Sequence, residues 1–270
     1  MKIPFALTGA TLAFFVACAP EHEVKIQYFP SGKKQAEIPR SHGRAQGVGR
    51  FYFESGAVQW VIAYSNDRQD GLALEYDEAG HRMSEATYVR GKIEGLFFHF
   101  TPEGRTQAVS PYVAGVKHGL EKEYGLGGKL STETEYHRGQ MHGSRKEYRE
   151  DGTLQVLWRY RDGKAEGDKI WFFSDGRTNG VVAYRRGQQN GVSRVLSHKG
   201  QVVLEIPWKE GKKQGLERWF STNGALLKEL PFRSGKLDGI AKYYGPQGTV
   251  TNEVRFMTNA RVDPVCRPRL

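Results

Sequence analysis

Tyr148 to Gly167 reads YREDGTLQVLWRYRDGKAEG, and almost the whole chain is this phrase restated. The glycine in its turn, Gly152, has counterparts at Gly32, Gly56, Gly80, Gly104, Gly128, Gly176, Gly200, Gly224 and Gly248, each 24 residues from the next without insertion or deletion. Counting from this marker, Tyr148 occupies position −4 and Tyr160 position +8, and each position is aromatic in nine of the ten copies. Leu196 and Arg40 are the exceptions. A fixed period of this length predicts an array of identical supersecondary units, none able to bury its apolar face alone.

Each unit reads as two short strands around the marker. The residues at −1 include Glu103, Asp151, Asp175 and Lys199, which resist the positive φ that a two-residue type I′ loop demands there. Pro30, Pro102 and Pro246 at −2 suit the second position of a type I turn. The prediction is a three-residue loop closed by a glycine bulge.

Continued without interruption, that loop puts −8, −4, +2, +6 and +8 on one face. These columns are apolar: Val48, Leu72, Leu96, Leu120 and Val192 at −8, Ile38, Ile62, Val182 and Ile206 at +6, and the aromatics at −4 and +8. The other face carries Glu37, Glu85, Glu133, Glu205, Glu229 and Glu253 at +5. One apolar and one wet face is the pattern of an antiparallel sheet. A second turn follows, with glycine at +11 in eight copies and at +15 in nine; Asp67 and Asn259 stand in at +11 and tolerate a left-handed backbone. Of the 33 glycines, 27 fill these turn slots, so backbone geometry accounts for them without a phosphate loop.

The stretch Tyr136-His137-Arg138-Gly139-Gln140-Met141-His142-Gly143 resembles the MORN-repeat variant of bacterial YwqK-type proteins, often labelled antitoxin components. The likeness covers about 240 of the 270 residues. It implies a ribbon of β-hairpins that binds proteins or membranes. The expectation is therefore an all-β, elongated single domain of ten hairpin repeats over 24–263.

The ends differ from the array. Met1 to Ala17 carries one positive charge, Lys2, and then an apolar run, the layout of a secretory signal and too short for a permanent span. Phe15-Val16-Ala17-Cys18 resembles a lipobox, with Phe15 where leucine is usual, which makes Cys18 the lipidation site. Simple cleavage after Ala19 would put Pro20 at the scissile bond. The expectation is a signal peptide over 1–17, a lipidated leader over 18–23 and a tail over 264–270. Such a protein would sit in the cell envelope, on the periplasmic side of the outer membrane if the cell has one. Ten units of two strands at about 4.8 Å per strand place the array's ends roughly 90 Å apart, far beyond disulfide reach between Cys18 and Cys266.

The scaffold consumes the chain, and no Gly-x-Ser-x-Gly elbow, His-Glu-x-x-His pair or phosphate loop is present. The expectation is no enzyme, no cofactor and no metal. His118 and His142 share a column one repeat apart, about 10 Å, whereas zinc ligands lie about 2 Å from the ion. The net charge of +10 is spread over the repeats without a run, which argues against nucleic acid. One column breaks the polar pattern. Position −5, on the expected wet face, becomes Trp171, Val195, Trp219 and Tyr243 in the last four copies. Contiguous exposed apolar surface marks an interface, so this stripe is the candidate site for a protein partner, an exported toxin among the candidates. The alternative is an envelope scaffold that holds anionic lipid or acidic glycan.

Overall fold

A computed structural model describes residues 21–262, so the signal segment, Cys18 and Cys266 lie outside the described residues. The described residues are all-β and without helix, 27 strand segments joined into one open antiparallel sheet. The pairing is between consecutive hairpin strands, from His22–Tyr28 against Lys34–Ser41 to Val250–Met257 against Ala260–Val262, with two-residue segments such as Val116–Lys117 sharing the partner of the strand that follows them. The first strand begins at His22, two residues before the expected boundary.

The marker turn is the predicted one. The Arg149 amide donates to the Thr153 carbonyl at 2.9 Å, and the Gly152 amide donates to the Arg149 carbonyl at 2.9 Å. Gly152 has φ +85°, the left-handed conformation that closes the bulge. The second turn is a two-residue loop, Arg161 pairing with Lys164 across Asp162 (φ 50°) and Gly163 (φ 75°).

Position +10 is therefore left-handed in every copy although never glycine, Ala114 (φ 51°) and Thr258 (φ 49°) included. The side chain at −10 helps hold several of these turns: the amides of Asn66, Ala114, Arg186 and Ser234 donate to Gln46, Glu94, Glu166 and Gln214 at 2.7–3.1 Å. His118 and His142 occupy that same column, His142 beside Asp162 at 3.2 Å. Asp67 and Asn259, the two glycine substitutes, each accept an additional amide bond at 2.7 Å, from Ala45 and Leu237.

The faces are not those predicted. Every described copy carries a second bulge, at +3. In the marker copy Tyr148 pairs with Leu154, but Glu147 pairs with Val156, so Gln155 is the extra residue. Beyond it −5 faces +4, −7 faces +6 and −9 faces +8, one residue out of step with an unbulged hairpin. A one-residue slip turns every side chain to the other side. Position −8 thus leaves the apolar face: Val48, Leu72, Leu96 and Leu120 are 40–49% exposed.

The packed face consists of −9, −7, −5, +4, +6 and +8. With one exception the buried hydrophobic residues lie on it or at its margin, among them Ala36, Ala73, Ala86 and Ala241, each no more than 5% exposed; Phe100, at −4, is the exception. No second layer covers the sheet among the described residues, so small residues are buried by large neighbours in the same face. The opposite face carries the glutamates, which are bonded rather than merely solvated. Tyr52, Tyr148 and Tyr244 donate their hydroxyls to Glu37, Glu133 and Glu229 at 2.6–2.8 Å, and Arg218 reaches Glu229 at 2.9 Å. Burial, helped by the bond to Glu133, pushes the Tyr148 hydroxyl up to about 12.

Candidate functional site

The bulge relocates the candidate stripe. Trp171, Val195, Trp219 and Tyr243 pair with Gly180, Leu204, Lys228 and Asn252, and therefore stand on the packed face with Tyr160 and Tyr184, not on the glutamate face. The pairings to the preceding strands continue the line. Val156, Trp171, Gly180, Val195, Leu204, Trp219, Lys228, Tyr243 and Asn252 form one row at right angles to the strands. Eight steps of about 4.8 Å make it roughly 38 Å long.

The same row in the first half of the array reads Ala36, Phe51, Trp60, Glu75, Ser84, His99, Ala108 and Glu123, mostly small or polar. Apart from the paired Phe51 and Trp60, the aromatic residues of the row belong to the second half.

Trp171 lies across Gly180. A methyl group at that glycine would fall 2.7 Å from two carbons of the indole, so the bare backbone forms the seat of the ring. Trp219 is 36% exposed, and its indole nitrogen donates to Glu217 at 2.7 Å. Lysines cover the rings. Lys169 stands 3.9 Å over Trp158 and 5.8 Å over Trp171, and Lys228 stands 4.3 Å over Trp219. Each is within cation–π range.

The face also contains two nearly identical ionic units four repeats apart. Glu121 (6% exposed) is bonded by Lys117 and, at 2.6 Å, by Ser110; Glu217 (4% exposed) is bonded by Lys213 at 2.5 Å. The lysines lie over Tyr136 and Phe232 at 5.1 and 4.6 Å. Burial pulls the Glu121 carboxyl upward, but bonds from Lys117 and Ser110 outweigh it and hold the group below the usual carboxylate range.

The +5 glutamates, the other carboxylate column, sit in tyrosine and arginine or lysine pairs and face no cleft. Among the described residues, no group of three or more His, Cys, Asp or Glu side chains is placed to hold a metal ion. Nor is any helix long and apolar enough to cross a membrane. Sequence reasoning singled out the four stripe residues but missed Lys169, Lys228 and the interleaved Gly180. Their signal, Lys169 at −7 and Gly180 and Lys228 at +4, becomes legible only with the register in hand.

Comparison with known families places the repeat. A family model described as MORN repeat variant matches residues 69–90 and 213–234. Two stretches of this chain are therefore MORN-like. Each runs from −11 of one copy to +10 of the same copy, so the MORN-like unit is one hairpin with its following turn.

No curated protein matches the chain. Among solved structures, similarity is found to "Crystal Structure of TcdB2-TccC3-TEV", at 14% identity and TM-score 0.18 over 87% of this chain and 16% of that one. A Photorhabdus luminescens Tc holotoxin pore matches at 14% identity and TM-score 0.21 over 86% of this chain and 15% of that one. This chain thus spans about a sixth of those proteins' length, and scores so low carry no argument about function.

Proposed function

We propose that the chain is a non-enzymatic, lipid-anchored binding protein of the cell envelope that docks a protein partner on the aromatic second half of its packed face. The observation that carries this reading is the row from Val156 to Asn252, in which three large aromatics stand among Gly180, aliphatic residues and Lys228 across nine strands. Half-exposed aromatics in one contiguous row are what interface hot spots are made of. An immunity factor that occupies an exported toxin is the narrower form of the proposal. Anchoring at Cys18 follows from the lipobox-like segment.

A second reading, anionic lipid or acidic glycan, draws on one observation. Position +9, at the turn edge, is Arg161, Arg185, Lys209 and Arg233 in four consecutive copies. Two surfaces separate the readings. Chemical cross-linking in the native cells, followed by purification of full-length protein, should yield one stoichiometric protein that is lost on Val195→Asp and kept on Arg185→Glu/Lys209→Glu. Loss on the second variant alone, with binding to anionic vesicles abolished by salt, would favour the edge instead. Cys18→Ala should shift the protein out of the washed membrane fraction; an unchanged distribution would remove the anchor from the proposal.

A further inference from the structure

Between Trp171 and Trp208 the packed face sinks into a groove of about 190 Å³, walled by Val182, Val195, Leu204 and Ile206. Ser193 lies at its base, 7% exposed. The described residues contain four buried side-chain polar atoms without a hydrogen-bond partner, and two of them, Ser193 Oγ and Trp208 Nε1, belong to this one groove. Ser193 pairs with Ile206, and Trp208 is two residues along the same strand on the same face. The two residues are therefore diagonal neighbours on one face, with both polar atoms shielded from solvent. An indole N–H only donates, and a serine hydroxyl can donate too. The missing partner is an acceptor carried by something apolar.

Size narrows the class. Sites for free small ligands occupy about 300–1,000 Å³, so this groove suits a single side chain whose remaining affinity comes from a larger body. Charge narrows it further. Lys169 and Lys228 are held on indole faces on either side, and neither has a carboxylate partner among the described residues. Counting strands outward from Ser193 and Trp208, each lysine is two and a half spacings from the groove's centre, roughly 12 Å at 4.8 Å per strand. An extended chain covers that in three to four residues at about 3.3 Å each. The one carboxylate between them on this face, Glu217, is already bonded to Lys213 and Trp219.

We propose that the groove is the anchor pocket for a partner segment with one large apolar side chain, flanked three to four residues away on both sides by acidic residues. The apolar side chain fills the space between Trp171 and Trp208. A main-chain carbonyl of the segment accepts from Trp208 Nε1 and Ser193 Oγ, and the acids lie against Lys169 and Lys228. This deepens the docking function proposed above and rests on it.

The test uses the full chain in lipid nanodiscs and fluorescein-labelled peptides Gly-Asp-Asp-Gly-Ser-X-Ser-Gly-Asp-Asp-Gly, read by anisotropy. With X as Phe, Leu or Trp, affinity should exceed that of X as Ala at least tenfold. Exchanging the aspartates for lysines should abolish binding. Trp208→Phe keeps an aromatic ring, removes the donor and should weaken the Phe peptide about fivefold or more. Lys169→Gln/Lys228→Gln should flatten the salt dependence. No binding up to about 1 mM, equal binding of the Phe and Ala peptides, or indifference to Trp208→Phe would each overturn the proposal. So would self-association lost on Val195→Asp, which assigns the groove to a second copy. Peptide failure alongside a cross-linked partner still lost on Val195→Asp sinks the pocket's specificity and leaves the docking function standing.

Discussion

Replacing Lys117 with Met is expected to cost about 2–3 kcal/mol, the largest single loss on the packed face apart from core truncations. The reason is the carboxylate left behind. Glu121 is 6% exposed, and Lys117 is the cation bonded to it. Removing one member of a buried pair costs about 3–5 kcal/mol because the other charge stays desolvated. Lys117 itself is about a third exposed, so water reaches the site and the expected cost falls to about 2–3 kcal/mol. Converting Glu121 to Gln as well removes the stranded charge and keeps an acceptor for Ser110. The double variant Lys117→Met/Glu121→Gln should return to within about 1 kcal/mol of the parent in urea unfolding.

The pair also has a pH window of known sign. The Glu121 carboxyl is held low, so its contribution is present above the ordinary carboxylate range and lost as pH falls through the depressed value. Lys117 is pulled down by burial, but its bond to Glu121 and that charge raise it overall, so its contribution persists below the ordinary lysine range and fades as pH rises above it. The loss of the single variant relative to the parent should therefore be largest between about pH 5 and 10. Equal losses in both variants would show that packing, not charge, holds this position.

The second large effect has a sign that depends on the register. Gly180→Ala puts a methyl 2.7 Å from the Trp171 indole, and overpacking of this kind costs about 1–3 kcal/mol. Gly180 is not in the left-handed region, so the collision alone is responsible. Were Trp171 on the opposite face, the same change would be neutral or stabilising by about 0.5–1 kcal/mol, since alanine restricts the unfolded chain more than glycine does. Adding Trp171→Ala removes the collision, and the cycle should return a coupling of about 1 kcal/mol or more. Additive losses would place the ring elsewhere.

Much of the fold is legible in the sequence, and the reasons are local. The marker loop is legible from the glycine in every copy, from proline at −2 in three copies and from a charged residue at −1 in four, each with a backbone preference of its own. The second turn is legible at +11 but not at +10, where residues as different as Arg138, Glu210 and Thr258 are held left-handed by the glycine, Asp67 or Asn259 beside them and by the strand ladder. The +3 bulge leaves no glycine or proline signal. Its residues are Gln35, Gln59, Met83, Gln107, Ser131, Gln155, Asn179, Val203, Leu227 and Thr251, half of them carboxamides but without one glycine or proline to mark a bulge.

That silent residue decides the site. An unbulged hairpin sends Trp171 and Trp219 to the glutamate side and Leu72 and Leu96 to the packed side, and hydropathy alone is content with either assignment. The information lies across strands, in Gly180 opposite Trp171 and in Ala73 opposite Ile62, where small residues make room for large ones. The +5 column misleads in a similar way. Glu133 and Glu229 read as a soluble face, yet they accept bonds from tyrosine hydroxyls of the −4 column, which the unbulged register assigns to the other side.

The register can be measured without reference to stability or partner. With Cys18 and Cys266 changed to serine, Ile206→Cys is combined either with Ser193→Cys or with Val192→Cys, and each pair is oxidised under native conditions. Residues directly opposed in an antiparallel pair have Cα atoms about 4.5–5.5 Å apart, inside the disulfide range. The bulged hairpin pairs Ser193 with Ile206 and Val192 with Pro207, so the first combination should cross-link readily and the second should not. A disulfide between positions 192 and 206, with none between 193 and 206, would restore the unbulged faces and remove the aromatic row from the packed side.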